Sequence, residues 1–185
     1  MNHHHLLLVL VLCAAITLGF GTTRCGFQAS ATAAGNTFTS WSSSVWTQTS
    51  AGDFGAGSIT DVDLATVPGD VVLARSDTVP FPYLASGTLA SAVFDSGSDG
   101  TSWDGLFWDE SVGASTGITL EVRASDTAFL KDDGSPAWTA IGGISPVTTG
   151  LPQGRYCQWR ATLSTTDPDS SPVLHEVRTW YFDYA

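Results

Sequence analysis

Positive charge is scarce in this 185-residue chain. One lysine, Lys131, and six arginines stand against 18 acidic residues, for a formal net charge of −11 at pH 7. The basic residues are scattered, so the clustered Lys and Arg that a nucleic-acid backbone requires are missing, and nucleic acid is excluded as a partner. Glutamate is limited to Glu110, Glu121 and Glu176, and nothing in the pattern sets one of them opposite a second acid across a cleft, as glycoside hydrolysis requires. Charged residues amount to only 14%. With Lys and Glu so sparse, the strong helix formers are under-represented.

Histidine and cysteine are scarce too. Beyond His3, His4 and His5 the chain holds only His175, and its cysteines are Cys13, Cys25 and Cys157. A zinc centre needs three or four such ligands, which the chain beyond its first 31 residues does not supply. Gly113-Ala114-Ser115-Thr116-Gly117 fits the G-x-S-x-G expression of serine hydrolases. That motif requires a strand–turn–helix setting and a histidine partner, whereas here it opens a strand. No catalytic group is expected on these grounds, and the chain reads as a non-enzyme.

Long apolar runs are limited to one. Leu6 to Phe20 is apolar apart from Thr17 and Gly19. As a helix it would span about 22 Å, short of a hydrocarbon core of roughly 30 Å. That length fits the hydrophobic region of a signal peptide, with Ala29-Ser30-Ala31 as a small-x-small cleavage site. Retention as an N-terminal hydrophobic helix is the alternative. Leu12 before Cys13 and Arg24 before Cys25 are both wrong for a lipoprotein signal, and Gly19, Gly21 and Gly26 break a long pilin-type helix. Cleavage after Ala31 leaves Cys157 as the sole thiol and no internal disulfide.

What is abundant points to strands. Apolar residues make up 43% and aromatics 11%, including seven Trp, enough bulk for a core. Residues 156–163 alternate, with Tyr156, Gln158, Arg160 and Thr162 on an expected wet face and Cys157, Trp159, Ala161 and Leu163 on a buried one. Ile118, Leu120 and Val122 alternate in the same way with Thr119, Glu121 and Arg123. Further strands are expected at 36–41, 44–46, 58–64, 70–74, 88–94, 106–108, 137–141 and 173–182, separated by Gly, Asp, Ser and Pro turns. Strands 155–163 and 173–182 are expected to form a hairpin at the centre of the core. Val79-Pro80-Phe81-Pro82-Tyr83 reads as a linker or edge crossing. The fold class is all-β, an antiparallel β-sandwich of jelly-roll type behind a short N-terminal hydrophobic segment. Residues 1–31 are the signal peptide or hydrophobic helix, 32–85 a section of N-terminal strands and linker, and 86–185 the sandwich module. Whether 32–85 pairs with the module's own sheets or serves a neighbour stays open.

Two groups of side chains are candidate sites. Asp95, Asp99 and Asp104 offer hard oxygen ligands for a Ca2+ ion, as do Asp126 with Asp132 and Asp133, or Asp167 with Asp169, although Asp and Gly also simply make turns. Among the aromatics, Phe38, Trp41 and Trp46 in the Ser/Thr-rich N-terminal section are the candidates for assembly or ligand contact. Cys157, on the buried face of its strand, behaves as a small hydrophobe.

Residues 86–182 resemble a β-sandwich module found in large secreted and surface proteins of bacteria and archaea. The matching stretches are Ser86-Gly87-Thr88, Val93 to Gly97, Trp103 to Trp108, Ile118 to Arg123, Gly154 to Leu163, and Asp167-Pro168 through Leu174. That resemblance implies an exported β-sandwich and carries no catalytic motif. Ala31 to Phe38 also resembles the mature N-terminus of camelysin-type biofilm-matrix fibre subunits, which implies polymerisation by an N-terminal strand lent to a neighbour. The expectation is an extracellular structural or adhesive protein at the cell surface. It would self-assemble as a homo-oligomer, as the subunit of a filament, pilus or matrix. The alternative is a carbohydrate-binding module that meets polysaccharide through exposed Trp, with Ca2+ as the possible ion.

Overall fold

The computed structural model describes residues 25–26, 41–64 and 69–184. In chain order, β1 spans Cys25–Gly26, β2 Trp41–Gln48, the one-turn helix α1 Ala51–Gly55, β3 Ser58–Thr60, β4 Val62–Asp63 and β5 Val72–Leu73. Next come β6 at Ser86–Ala90, β7 at Phe94–Asp95, β8 at Ser102–Ser111 and β9 at Thr116–Ser125. The chain finishes with β10 at Thr139–Ile141, β11 at Tyr156–Thr165 and β12 at Val173–Tyr184. Two antiparallel sheets dominate, in the orders β1-β2-β12-β8 and β10-β9-β11-β6-β3, with β7 alongside β11 and a small β4-β5 pair apart. The all-β sandwich is therefore present. Residues 41–48 and 58–60 pair with β12 and β6, so these parts of the N-terminal section belong to the same sheets as the later strands.

The core lies between the inner faces of the two sheets. Trp159, Ala161, Leu163, Leu120 and Val122 from one sheet meet Trp103, Leu106, Trp108, Leu174 and Val177 from the other. Each such large apolar side chain contributes about 1.5–3 kcal/mol on leaving water. Phe54, from α1, closes one margin edge-on to Trp159 at 6.2 Å. The helix that positions it is a single turn with a full capping box: Ser50 accepts from the Asp53 N–H and Asp53 accepts from the Ser50 N–H.

The expected hairpin does not form. β11 lies at the centre of one sheet and β12 in the other, so residues 166–172 are an arch between sheets. Seven residues, folded at Asp167 by a Ser170 N–H to Asp167 carbonyl bond of 3.0 Å, are enough to cross the roughly 10 Å between packed sheets. Alternation finds each strand's buried face but is blind to which sheet the next strand joins.

Two positions of the expected wet face of the second sheet are not wet, while Tyr156, Arg160, Thr162, Thr119 and Glu121 keep part of their surface in water. Gln158 is 0% and Arg123 1% exposed, because the segment 126–138 folds back across that face. Arg123 sends Nη1 to the Asp133 carbonyl at 2.5 Å and Nη2 to the Lys131 carbonyl at 3.0 Å. Its Nε and Nη2 both reach Gln158 Oε1, at 2.8 and 2.6 Å. Gln158 passes the network on, its Nε2 donating to the Ser91 carbonyl at 2.6 Å. One guanidinium thus supplies donors to several carbonyls of the loop at once. Burial pulls the Arg123 pKa down from its ordinary value, but the fork of acceptors keeps it a cation.

Two β-bulges set the phase of β12 against β8. Leu174 pairs with Glu110 and Glu176 with Asp109, so His175 is an extra residue on β12. Trp180 pairs with Gly105 and Tyr181 with Trp103, which makes Asp104 the extra residue on β8. A bulge re-aims the side chains on either side of it. Here the shifts let Leu174 and Val177, three apart, both face inward, and do the same for Trp103 and Leu106. Gly105 is required next to the second bulge, since a Cβ there would lie 2.6 Å from the Trp180 ring.

Candidate functional site

The three candidate acids for Ca2+ are not brought together as a ligand set. Asp95 is engaged by Arg155, whose Nε and Nη2 donate to Oδ1 and Oδ2 at 2.7 and 3.0 Å. It also accepts the Gly97 N–H at 2.8 Å. The Arg155 hydrogen bonds hold the Asp95 carboxyl below the usual carboxylate range. Asp104 Oδ1 accepts from Ser102 Oγ at 2.7 Å, and Asp99 lies in the exposed turn before Gly100. Asp126 instead ties this corner down, taking the Gly100 and Arg155 N–H groups at 2.6 and 3.0 Å. Among the described residues no three His, Cys, Asp or Glu side chains form a metal-holding group.

The aromatics divide differently from the sequence expectation. Trp46 is half-buried and stacks on Phe94 at 4.9 Å between ring centroids. Phe94 in turn meets Trp103 at 5.9 Å and Tyr181 at 5.4 Å, so Trp46 belongs to an aromatic cluster at one end of the core. Phe38 lies outside the described residues. The Trp41 backbone pairs with Tyr184 at the end of β2. Trp138 is covered by the guanidinium groups of Arg123 and Arg160, at 4.4 and 4.5 Å from its ring. Cys157 is buried and unpaired, and burial pushes its thiol pKa far up, which makes it an inert core residue.

The sheet edges differ in how they are covered. β3 and β10 are edge strands of three residues each, and short edges resist pairing with other chains. The outer edge of β8 is capped by residues 145–147: Leu106 and Val147 exchange backbone hydrogen bonds of 2.8 and 2.9 Å, and Ser145 Oγ accepts the Trp108 N–H at 2.9 Å. By contrast, the eight-residue β2 is covered among the described residues only by Cys25 and Gly26, opposite Ser43 and Ser42. Its stretch 44–47 has no described strand on that side, and the same holds for 116–119 of β9 beyond β10.

At the far end of β12, three segments bring chemistry together. The isolated bridge Val71–Leu174, with hydrogen bonds of 2.9 and 3.0 Å, lays the 69–71 segment beside β12. Gly69, at φ +92°, turns the chain into that position. The bulged His175 then lies between this segment and the end of β8. Its Nδ1 is 2.8 Å from Asp70 Oδ1 and its Nε2 is 2.9 Å from Ser111 Oγ. Sequence reasoning missed this row. It weighed Ser115 as the serine of the region, whereas the residue that meets His175 is Ser111, which sits in no motif. The only usable signal was that His175 is the lone histidine beyond the N-terminal tract.

Among the described residues no helix is long and apolar enough to cross a membrane. No family model matches the sequence. No curated protein matches it either. Among solved structures, the chain is similar to a cleaved adhesin domain of Lys-gingipain from Porphyromonas gingivalis, with 16% identity over 78% of this chain and 83% of that chain and a TM-score of 0.27. The architecture given above rests on the strand pairing itself.

Proposed function

We propose that this is an extracellular structural or adhesive β-sandwich that self-assembles through the outer edge of β2. The observation that carries the reading is the unequal treatment of the edges. β8 is bridged by 145–147 and β3 and β10 are kept to three residues, while β2 offers residues 44–47 with no described strand beside them. An open edge of this length is a template for strand addition, in which main-chain hydrogen bonds give affinity and the side chains that alternate across the edge give register. The N-terminal segment already has this role within the chain, because β1 is the strand that pairs there. In an assembly the neighbour's N-terminal segment takes that place. The apolar Leu6 to Phe20 run supports export, and the acidic composition keeps the free subunit soluble.

The test is negative-stain electron microscopy and size-exclusion chromatography of the full chain, with intact-mass analysis of the same sample. Thr47 is exposed on β2, and a lysine there places a charge on the edge in the way natural edges are blunted. Filaments or oligomers in the wild type that are lost in Thr47→Lys would support edge assembly. A wild type that stays monomeric up to high concentration would sink it, and a monomer that bound polysaccharide with quenched Trp fluorescence would favour the carbohydrate-binding alternative.

A further inference from the structure

We propose that Ser111, His175 and Asp70 form an acyl-transfer site that hydrolyses short-chain esters of uncharged alcohols. This goes beyond the assembly reading and does not depend on it, since the row lies at the end of β12 that starts at Val173, whereas β2 runs beside residues 177–184 of β12 and turns its open edge away from them.

The geometry fixes the role of each group. An ionised carboxylate only accepts hydrogen bonds, so Asp70 Oδ1 at 2.8 Å places the neutral imidazole's proton on Nδ1. Nε2 is then the acceptor, and Ser111 Oγ at 2.9 Å is the donor facing it. A serine, a histidine oriented by an acid on its other nitrogen, and both contacts within hydrogen-bond reach make the arrangement that activates a hydroxyl for attack, recognised by roles and not by sequence order. Three separate features build it: the bulge that singles out His175, the Val71–Leu174 bridge that delivers Asp70, and the end of β8 that carries Ser111. Bulges are over-represented beside active sites because they aim one side chain away from the regular ladder.

Access and charge narrow the substrate. Ser111 is exposed, as is its neighbour Val112, so the nucleophile is open to an ester displayed on a larger molecule. Asp109, exposed and on the same side of β8 as Ser111, disfavours anionic substrates, while Glu176 is paired with Arg178 at 3.0 Å. The Gly113 N–H is committed to Thr116 Oγ1 at 2.7 Å and is not free for a developing oxyanion. In the first step Ser111 Oγ bonds to the ester carbonyl carbon while its proton passes to His175 Nε2. The bond to the alcohol oxygen breaks, and the alcohol leaves with that proton. Water then gives a proton to Nε2 and attacks the acyl carbon. The carboxylic acid departs and the proton returns to Ser111 Oγ, so atoms and protons balance.

The test treats the full chain with a fluorophosphonate and with p-nitrophenyl acetate, and locates the adduct by peptide mass spectrometry. The expected result is modification at Ser111, abolished in Ser111→Ala and slowed at least about a hundredfold in His175→Gln. Ser111→Ala removes only an exposed hydroxyl, and circular dichroism on each variant confirms the fold. A wild type that is not modified at Ser111 overturns the proposal. Modification at the same rate in a folded His175→Gln variant overturns it as well.

Discussion

The two faces of the β10-β9-β11-β6-β3 sheet are both buried around β11, yet they are buried by different physics. On the inner face Trp159, Ala161 and Leu163 meet the opposite sheet in an apolar core. On the outer face Gln158 and Arg123 are equally hidden, but beneath a loop that they hold down through hydrogen bonds. The inner face is driven by loss of apolar surface from water, which is non-directional and tolerant of small shifts. The outer face depends on a fork of donors matched to particular carbonyls, and low dielectric makes each unmade bond costly. The inner face should therefore fail globally and the outer face locally. The largest expected effect is Trp159→Ala, at about 3–5 kcal/mol of lost stability. It removes the ring that Phe54 packs against and strips Gln48 Oε1, in a residue only 3% exposed, of the indole N–H that donates to it at 2.6 Å. Urea unfolding and amide exchange should both show the whole sandwich weakened. Loss confined to α1 would show that the ring anchors the helix margin alone.

Arg123→Ala comes next, at about 2–3 kcal/mol, the range for hydrogen bonds from a charged donor whose partners are left buried. Its signature should be local: amides in 126–138 exchange faster while β9 and β11 stay protected. Lysine at 123 should recover little, since one ammonium cannot reproduce the planar fork to Gln158 and the loop carbonyls. Uniform loss of protection across the sheet would mean that the loop is part of the core and that the contrast between the faces is false.

Residue by residue, this contrast shows what the sequence could reveal. Trp159, Leu163, Leu120 and Val122 are legible as core because a strand has a strict period of two. Gln158 and Arg123 carry the same alternation and were therefore assigned to water. Nothing local marks them as covered, because the cover comes from a loop whose return is a tertiary event. The arch at 166–172 has the composition of a hairpin turn and differs from one only in where β12 lands. Bulges leave no compositional trace, so the placement of His175 and Asp104 was out of reach. Ser111 and Asp70 lie 64 and 105 positions from His175, and only the bulge and the Val71 bridge bring the three into one row. Of the acids proposed for a cation, Asp95 was indistinguishable by sequence from a free carboxylate, since its partner Arg155 lies 60 positions away.

The smallest expected effect marks where the outer face reverts to ordinary surface. Arg160 stands on the same side of β11 as Gln158 and pairs with Glu121, and both side chains keep about a third of their surface in water, at 33% and 28%. The Arg160 guanidinium also lies over the Trp138 ring, at 4.5 Å from its centroid. Solvent screens the ion pair at this exposure, so Glu121→Gln should cost no more than about 0–1 kcal/mol, and less as salt is added. The neutral amide still accepts from Arg160, which keeps the cation over Trp138 and leaves the loop closed. Thermal unfolding of Glu121→Gln at low and high ionic strength, set beside Arg123→Ala, reads the boundary directly. A salt-insensitive loss as large as that of Arg123→Ala would place Glu121 inside the buried network. The polar interior would then extend one residue pair further along β9 and β11 than the hydrogen bonds of Arg123 alone describe.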